Sequence, residues 1–360
     1  MMKTVPRHAA DPAVGRYLLR PAVPADLSAL ERLAQASAIG ISSLPTSRSM
    51  LLDKLERSAR AFASEDEASG EELYLFMLED LDQGGAIIGT SGIEASPGFH
   101  DRFYCYRNEF TVQVSAELGT RNRIHTLNLC HDLSGVSLLT GFYIDPAHAE
   151  GPAPQLLSRA RLLFMAQFAE RFSERVASEN PGLADDNGQC PFWDAVGRRF
   201  FDMDYPSAEA LTSGRDKAYI AELMPQSPIY VPLLDEQAQW ALGQLHPVAE
   251  LPFGILLDEG FESDTYVNIF DGGPTVEAAL SQARSIRQAR PLSLQGAQPA
   301  GWHLLASGNR AHFRATLAEL PAALPAELAA RLAVDEGARL LATPLEVAMD
   351  VDVVAAGGRP

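Results

Sequence analysis

The chain has 360 residues, 46% of them hydrophobic, enough for two or three domains with substantial cores and too apolar for a disordered protein. Its net charge of −18 disfavours nucleic acid and acidic membrane surfaces as partners and suits a cationic small substrate. Three widely spaced cysteines, Cys105, Cys130 and Cys190, fit a reducing compartment and supply no dedicated metal site.

Residues 1–16 lack the apolar core of a signal peptide and read as a flexible extension; no stretch approaches a membrane span, so the cytoplasm is the expected location. Tyr17–Arg20 reads as a short strand, and Pro21 and Pro24 turn the chain. Asp26 can cap a helix through Leu27, Leu30, Leu33 and Ala34, closed by Gly40 and Pro45. Met50–Phe62 is a second amphipathic helix. Leu73–Glu79 and Gly85–Glu94 form an antiparallel pair about Leu81–Gly84, and Phe103–Val114 is a further strand with a break at Asn108.

Residues 139–172 organise the rest. Leu139–Ile144 is a strand rich in sheet formers. The loop Asp145–Pro154 holds three prolines and a glycine, which neither helix nor strand continues through. Leu156–Phe172 then carries one broad apolar helical stripe. A strand, a loop and a helix N-terminus can hold an anion, because the first-turn N–H groups point into the loop. An ordinary βα unit that binds nothing explains the same residues.

Farther on, Arg175–Glu179 is a strand, and Phe192–Phe200 a helix burying Trp193 and Val196. Ala218–Met224 is an apolar strand. Leu234–Gly260 is helical, interrupted at Pro247 and Pro252, and Thr265–Phe270 is a strand. From residue 288 the composition shifts to Gly, Ala and Pro. A small mixed or β-rich domain, 288–360, is expected there, with strands at Trp302–Leu305, His312–Leu317 and Arg339–Thr343 and a helix at Ala326–Leu332.

No Walker motif, dinucleotide fingerprint, HExxH or GxSxG is present. His246, in GQLHP, is the most informative histidine: Pro247 can fix its ring at an element's edge, where a ring nitrogen exchanges a proton near neutral pH. A capping or core histidine is the plainer reading. His131 and Asp132 are neighbours, but strand neighbours face opposite ways. Asp132 or Asp271 can orient a catalytic histidine or serve as a satisfied turn carboxylate.

Several stretches together resemble one family, the arginine N-succinyltransferases, and within it the alpha subunits of the two-subunit arginine/ornithine form. They include SSLP at 42–45, LFMLED at 75–80, LCHDLSG at 129–135, SLLTGFY at 137–143 and LLSRARLLFMAQF at 156–168. Arg20-Pro21 precedes them, and PFWDAVGRRFFDM at 191–203, AYIAELMP at 218–225, PIYVPLL at 228–234, GQLHP at 243–247, EGF at 259–261 and YVNIFDGGPT at 266–275 follow, so that the matches cover about residues 17–290 in order. The resemblance implies an α/β, GNAT-like acyltransferase fold, a mixed, mostly antiparallel sheet flanked by helices. It divides the chain into an acyl-CoA-binding domain at 17–225, a second GNAT-like portion at 226–287 carrying His246, and the C-terminal domain.

The implied reaction moves the succinyl group of succinyl-CoA, the co-substrate, to the α-amine of L-arginine or L-ornithine, without a metal. The implied partner is a homologous beta subunit or a second copy of the chain. The family's proton donor falls on His246, and its succinyl-CoA position on Phe142, beside Tyr143; the pyrophosphate loop would run through Gly151 and Gln155 into Leu156. Single-subunit members carry an Arg where Ala149 stands and a Gly-x-Gly where Gly151, Pro152 and Ala153 stand, so a phosphate partner and a backbone donor are lost here. Leu138 and Thr140 replace a Glu and a Cys. A regulatory alpha subunit with a degraded CoA site is the alternative reading. The guanidinium of an arginine-like substrate needs carboxylates, for which Glu79, Glu94, Glu222 and Asp271 are available. Its α-carboxylate needs a cation such as Arg107, Arg159 or Arg161.

Overall fold

The structure is a computed structural model, and it describes residues 15–37, 44–98, 102–185, 187–212, 222–293, 299–320, 325–335 and 339–345. One sheet of fourteen strands runs through them. In chain order these are β1 (Tyr17–Pro21), β2 (Leu73–Asp80), β3 (Ala86–Glu94), β4 (Cys105–Ser115), β5 (Thr120–Cys130), β6 (Ser137–Ile144) and β7 (Arg175–Glu179). They continue with β8 (Ile229–Tyr230), β9 (Glu262–Val267), β10 (Pro274–Ala279), β11 (Arg290–Ser293), β12 (Gly301–Ala306), β13 (Ala315–Leu320) and β14 (Arg339–Pro344). The spatial order is β11-β14-β12-β13-β1-β2-β3-β6-β7-β10-β9-β4-β5-β8. Every pairing is antiparallel except that of β6 with β7. This is the mixed, mostly antiparallel α/β architecture that the resemblance implies.

Helices cover both faces at the centre. α1 (Leu27–Ala36) and α2 (Arg48–Ala63) pack with Leu75 and Met77 of β2, while α3 (Pro152–Gln167) packs with Tyr74, Phe76 and Leu78 from the same strand's other face. That double cover explains why β2 is apolar from Leu73 to Leu78 instead of alternating. α3 is buried from Ala153 to Met165 apart from Gln155, and its Phe164 ring meets Phe62, Phe76 and Phe313 at 5.5, 5.2 and 5.0 Å. A helix buried on all sides belongs at the middle of a core, and this one carries Ser158, Arg159 and Arg161 there beside its apolar residues.

Several boundaries move. The helix after the organising strand starts at Pro152 and takes two prolines into its first turn, where a missing N–H costs nothing and a fixed φ suits the helix. It ends at Gln167, and a short 3-10 turn covers Ala169–Arg171. Asp26 precedes α1 but does not cap it with its side chain. Arg20 donates two hydrogen bonds to it at 2.8 and 2.9 Å, and Val23 N–H a third at 2.8 Å. The expected helix over Phe192–Phe200 is two short helices, Pro191–Ala195 and Arg198–Phe201. β4 runs unbroken through Asn108, and Pro252 lies inside the helix Glu250–Asp258. β5, β8, β10 and β11 are additional to the expected set. Gly40 and residues 218–221 lie outside the described residues.

Candidate active site

The feature that makes a site is the one parallel pair. β6 and β7 are in register only at Ser137↔Val176 and Leu138↔Ala177. Beyond those positions the strands diverge. The pairing of β3 with β6 also slips, between Thr90↔Tyr143 and Gly92↔Thr140, so Gly141 and Phe142 together oppose Ser91. Gly141 has φ +60°, a left-handed conformation that a side chain would strain. The divergence opens a cleft beside the bulge.

The cleft has two chemically different walls. On one stand Leu139, Phe142 and Arg161, with Pro252 and Leu256 from the helix Glu250–Asp258. On the other stand Glu179 at the end of β7, Asn180, Asn268, Asp271, and Tyr205 and Glu209 from the helix Tyr205–Thr212. Asn268 Nδ2 donates to Glu179 Oε1 at 2.6 Å. Asp271 accepts from Gly182 N–H at 2.9 Å, Gly273 N–H at 2.8 Å and the Tyr205 hydroxyl at 3.4 Å. Burial and then the Asp271 carboxylate hold the Tyr205 hydroxyl well above the ordinary phenol range, so it stays a neutral donor. Burial, reinforced by Asp271, also pushes the Cys190 thiol up to about 12, which removes it as a nucleophile.

Two glycines bring the cleft's edge together. A Cβ on Gly182 would lie 2.5 Å from Asp271 O, and one on Gly273 would lie 2.2 Å from Asn180 O. This close approach presents Pro181 O to the backbone N–H of His246, which donates to it at 2.9 Å. His246 then caps a 3-10 turn, Pro247–Ala249, its Nδ1 accepting from Val248 N–H at 3.3 Å. That bond assigns the neutral ring's proton to Nε2. The imidazole is half-buried at the rim; Pro181, Val248 and Ala249 line the cleft around it, and His246 itself stands one step outside the lining.

The other sequence-named residues scatter. Phe142 is in the lining. Tyr143 turns its ring to the opposite face of the sheet, against the α1–α2 side, so only its backbone remains near the cleft. Gly151 is the exposed N-cap of α3, with φ +85° and open space about it. Leu156 is fully buried in the core. Gln155 accepts from Arg159 Nε at 2.8 Å. Since Pro152 and Pro154 carry no N–H, Ala153 and Gln155 are left as the donors of the first turn.

Of the carboxylates named for a guanidinium, Asp271 alone reaches the cleft; Glu79 pairs with Arg20 at 2.6 Å, Glu94 ends β3 and Glu222 is exposed. Arg107 is tied to Asp132 and Glu109, and Arg159 to Glu259 at 2.7 Å, so Arg161 is the named cation that lines the cleft. Asp132 binds Arg107 and the Tyr266 hydroxyl, not a histidine. Glu179, Tyr205, Glu209 and Asn268 escaped sequence reasoning. Glu179 could have been found, as the last residue of a recognised strand. Among the described residues no group of His, Cys, Asp or Glu is arranged to hold a metal ion, and no helix is long and apolar enough to cross a membrane.

The family model described as arginine N-succinyltransferase beta subunit matches residues 17–285. The chain belongs to the arginine N-succinyltransferase family. A relative in Pseudomonas aeruginosa, arginine N-succinyltransferase subunit alpha, is 46% identical over 330 residues, covering 89% of this chain and 97% of that one. The arginine N-succinyltransferase of Salmonella arizonae is 39% identical over 304 residues, covering 83% and 88%. Among solved structures, the arginine/ornithine succinyltransferase subunit AI from Pseudomonas aeruginosa superposes with a TM-score of 0.83 at 43% identity, covering 92% of this chain and 99% of that one. The likeness to the alpha subunit inferred from the sequence stretches therefore holds over nearly the full length of the arginine N-succinyltransferase relative.

Proposed function

We propose that this chain transfers the succinyl group of succinyl-CoA to the α-amine of L-arginine, and of L-ornithine. Membership of the arginine N-succinyltransferase family, at 46% identity to an alpha subunit, carries the reading. The cleft supports it: one wall offers a buried guanidinium and the other carboxylates, as a donor with an anionic tail and a cationic acceptor require.

In this reading the thioester lies at the bulge of Gly141 and Phe142. The neutral α-amine attacks the thioester carbon, backbone N–H groups of the bulge stabilise the oxyanion, and the C–S bond breaks as the carbonyl re-forms. The amine's extra proton leaves through the acidic wall. His246 Nε2, carrying the neutral ring's proton, protonates the departing thiolate. The backbone of Tyr143 and Leu156, with Gly151 and Gln155, would flank the CoA moiety. With only Ala153 and Gln155 as first-turn donors, the pyrophosphate has few partners on this chain, which favours a homologous beta subunit completing the site. The same observation favours the second reading, a regulatory alpha subunit supporting a catalytic partner.

A thiol-release assay separates the two. The purified chain is mixed with succinyl-CoA and arginine, ornithine, lysine or agmatine, alone and with a beta subunit. Release dependent on arginine or ornithine, and abolished by His246→Ala in this chain, supports catalysis here. Release that requires the partner and survives His246→Ala assigns this chain the regulatory part.

A further inference from the structure

Arg161 is a charge inside the cleft to which no step of the mechanism above assigns a ligand atom. It projects from α3, is 2% exposed, and lines the cavity. Its Nε donates to Ser158 O at 3.1 Å, its Nη2 to Ser158 Oγ at 3.0 Å, and its Nη1 reaches Gly92 O only at 3.5 Å. All three acceptors are uncharged. The other two buried arginines among the described residues are matched differently: Arg159 pairs with Glu259 at 2.7 Å and Arg171 with Glu72 at 3.7 Å.

A guanidinium carries two hydrogens on each Nη, so donors remain unspent on both. Burial without a counter-charge pushes its pKa down to about 9, a direction that an incoming carboxylate would reverse. Buried charges are ordinarily paired, and an unpaired one that opens on a cleft points to a partner from outside the chain.

Position narrows the ligand. The guanidinium carbon of Arg161 lies 5.8 Å from the centre of the Phe142 ring, on the α3 side of β6, at the bulge. Glu179, Glu209 and Asp271 occupy the other wall. The two kinds of group suit different charges: a carboxylate is favoured beside Arg161, and a cation beside Glu179, Glu209 and Asp271.

We infer that Arg161 binds the terminal carboxylate of the acyl donor, so that this pocket selects a dicarboxylic acyl group over a monocarboxylic one of the same length. The inference rests on the N-succinyltransferase reading. The shared chemistry is a carboxylate, and the amino acid's own α-carboxylate is the competing source; the position of Arg161 beside the β6 bulge, rather than on the acidic wall, favours the acyl tail.

Arg161→Met and Arg161→Lys in the full chain, assayed with its beta subunit if the wild type requires one, test this. Donors are succinyl-CoA and butyryl-CoA, which replaces the carboxylate by a methyl group. Acceptors are arginine and agmatine, which lacks the α-carboxylate. Arg161→Met should lose roughly 100-fold in kcat/KM with succinyl-CoA and discriminate little between the two donors, because the site no longer holds an anion. Its arginine-to-agmatine ratio should stay at the wild-type value. Arg161→Lys should fall between, keeping the charge and losing the fork. Calorimetry without acceptor should show the same weakening for succinyl-CoA and none for butyryl-CoA. Should Arg161→Met fail to fold, Arg161→Gln, which can keep a bond to Ser158, takes its place. An unchanged donor ratio in a folded neutral variant overturns the inference. So does collapse of the arginine-to-agmatine ratio instead, which would give Arg161 to the amino acid. Wild-type enzyme inactive with succinyl-CoA and both amino acids would remove the underlying reading, a result distinguishable from either.

Discussion

At the scale of single residues, His246 is the proton donor of the proposed reaction. Its Nδ1 is spent on Val248 N–H, and its backbone is fixed to Pro181, so Nε2 is presented with little freedom. Removing a positioned proton donor lowers the chemical step without touching substrate contacts. His246→Ala should therefore reduce kcat by about 10²- to 10⁴-fold and leave both KM values within a few-fold. Steady-state kinetics with kcat unchanged would take His246 out of the reaction. His246 was singled out in the sequence because a proline followed it and because the surrounding stretch resembled a family, and the structure sets it at the cleft's rim, outside the lining. Arg161 was legible only as one of three basic residues: nothing in RAR at 159–161 says that the first arginine meets Glu259 while the second faces a cleft. That distinction depends on which way each side chain leaves a helix buried on all sides, and periodicity carries no information there. Glu209 left no local signal at all, since its partners across the cleft come from distant parts of the chain.

At the scale of elements, the cleft depends on α3 and the helix Glu250–Asp258 holding their separation. Glu259, 1% exposed, locks them: it accepts from Arg159 on α3 at 2.7 Å and from Ser285 N–H and Oγ–H, each at 2.7 Å. Breaking a buried pair by removing one partner leaves the other charge uncompensated. Glu259→Ala should cost about 3–5 kcal/mol in chemical unfolding, and Arg159→Ala nearly as much, with the double variant far from additive. Additive losses would mean that the pair is not coupled. Gly273→Ala tests the opposite edge. Its added methyl must displace the backbone at Asn180 or Gly182, so the loop that anchors His246 shifts and activity should fall more than stability. Elements with a clean apolar pattern, such as β2 and α3, were readable from the sequence, with errors confined to their ends. β5 was not: its first four residues, Thr120–Arg123, are polar and solvent-exposed on a long hairpin, so it lacks the alternation that betrays a half-buried strand. β10 begins with a proline directly after a Gly-Gly turn, which reads as loop until the pairing with β7 and β9 is seen.

At the scale of the whole molecule, the net charge of −18 acts on the two substrates in opposite senses. Arginine arrives as a cation and is drawn toward a negative protein; succinyl-CoA is a polyanion and is repelled at every distance beyond the few cationic groups that receive it. Added salt shortens the reach of both effects, from about 30 Å at 0.01 M to about 8 Å at physiological strength. Raising the concentration of potassium chloride from low to physiological values should therefore lower kcat/KM for arginine by several-fold and raise kcat/KM for succinyl-CoA. Because screening acts on long-range terms, both slopes should persist in Arg161→Lys, which preserves total charge. They should flatten together in variants that neutralise exposed acidic residues remote from the cleft, such as those of the link at 65–67. Rates measured at constant pH across the salt series check this directly. If the two parameters move in the same direction, local contacts in the cleft rather than the field of the whole chain govern capture, and the acidic composition is then a matter of solubility alone.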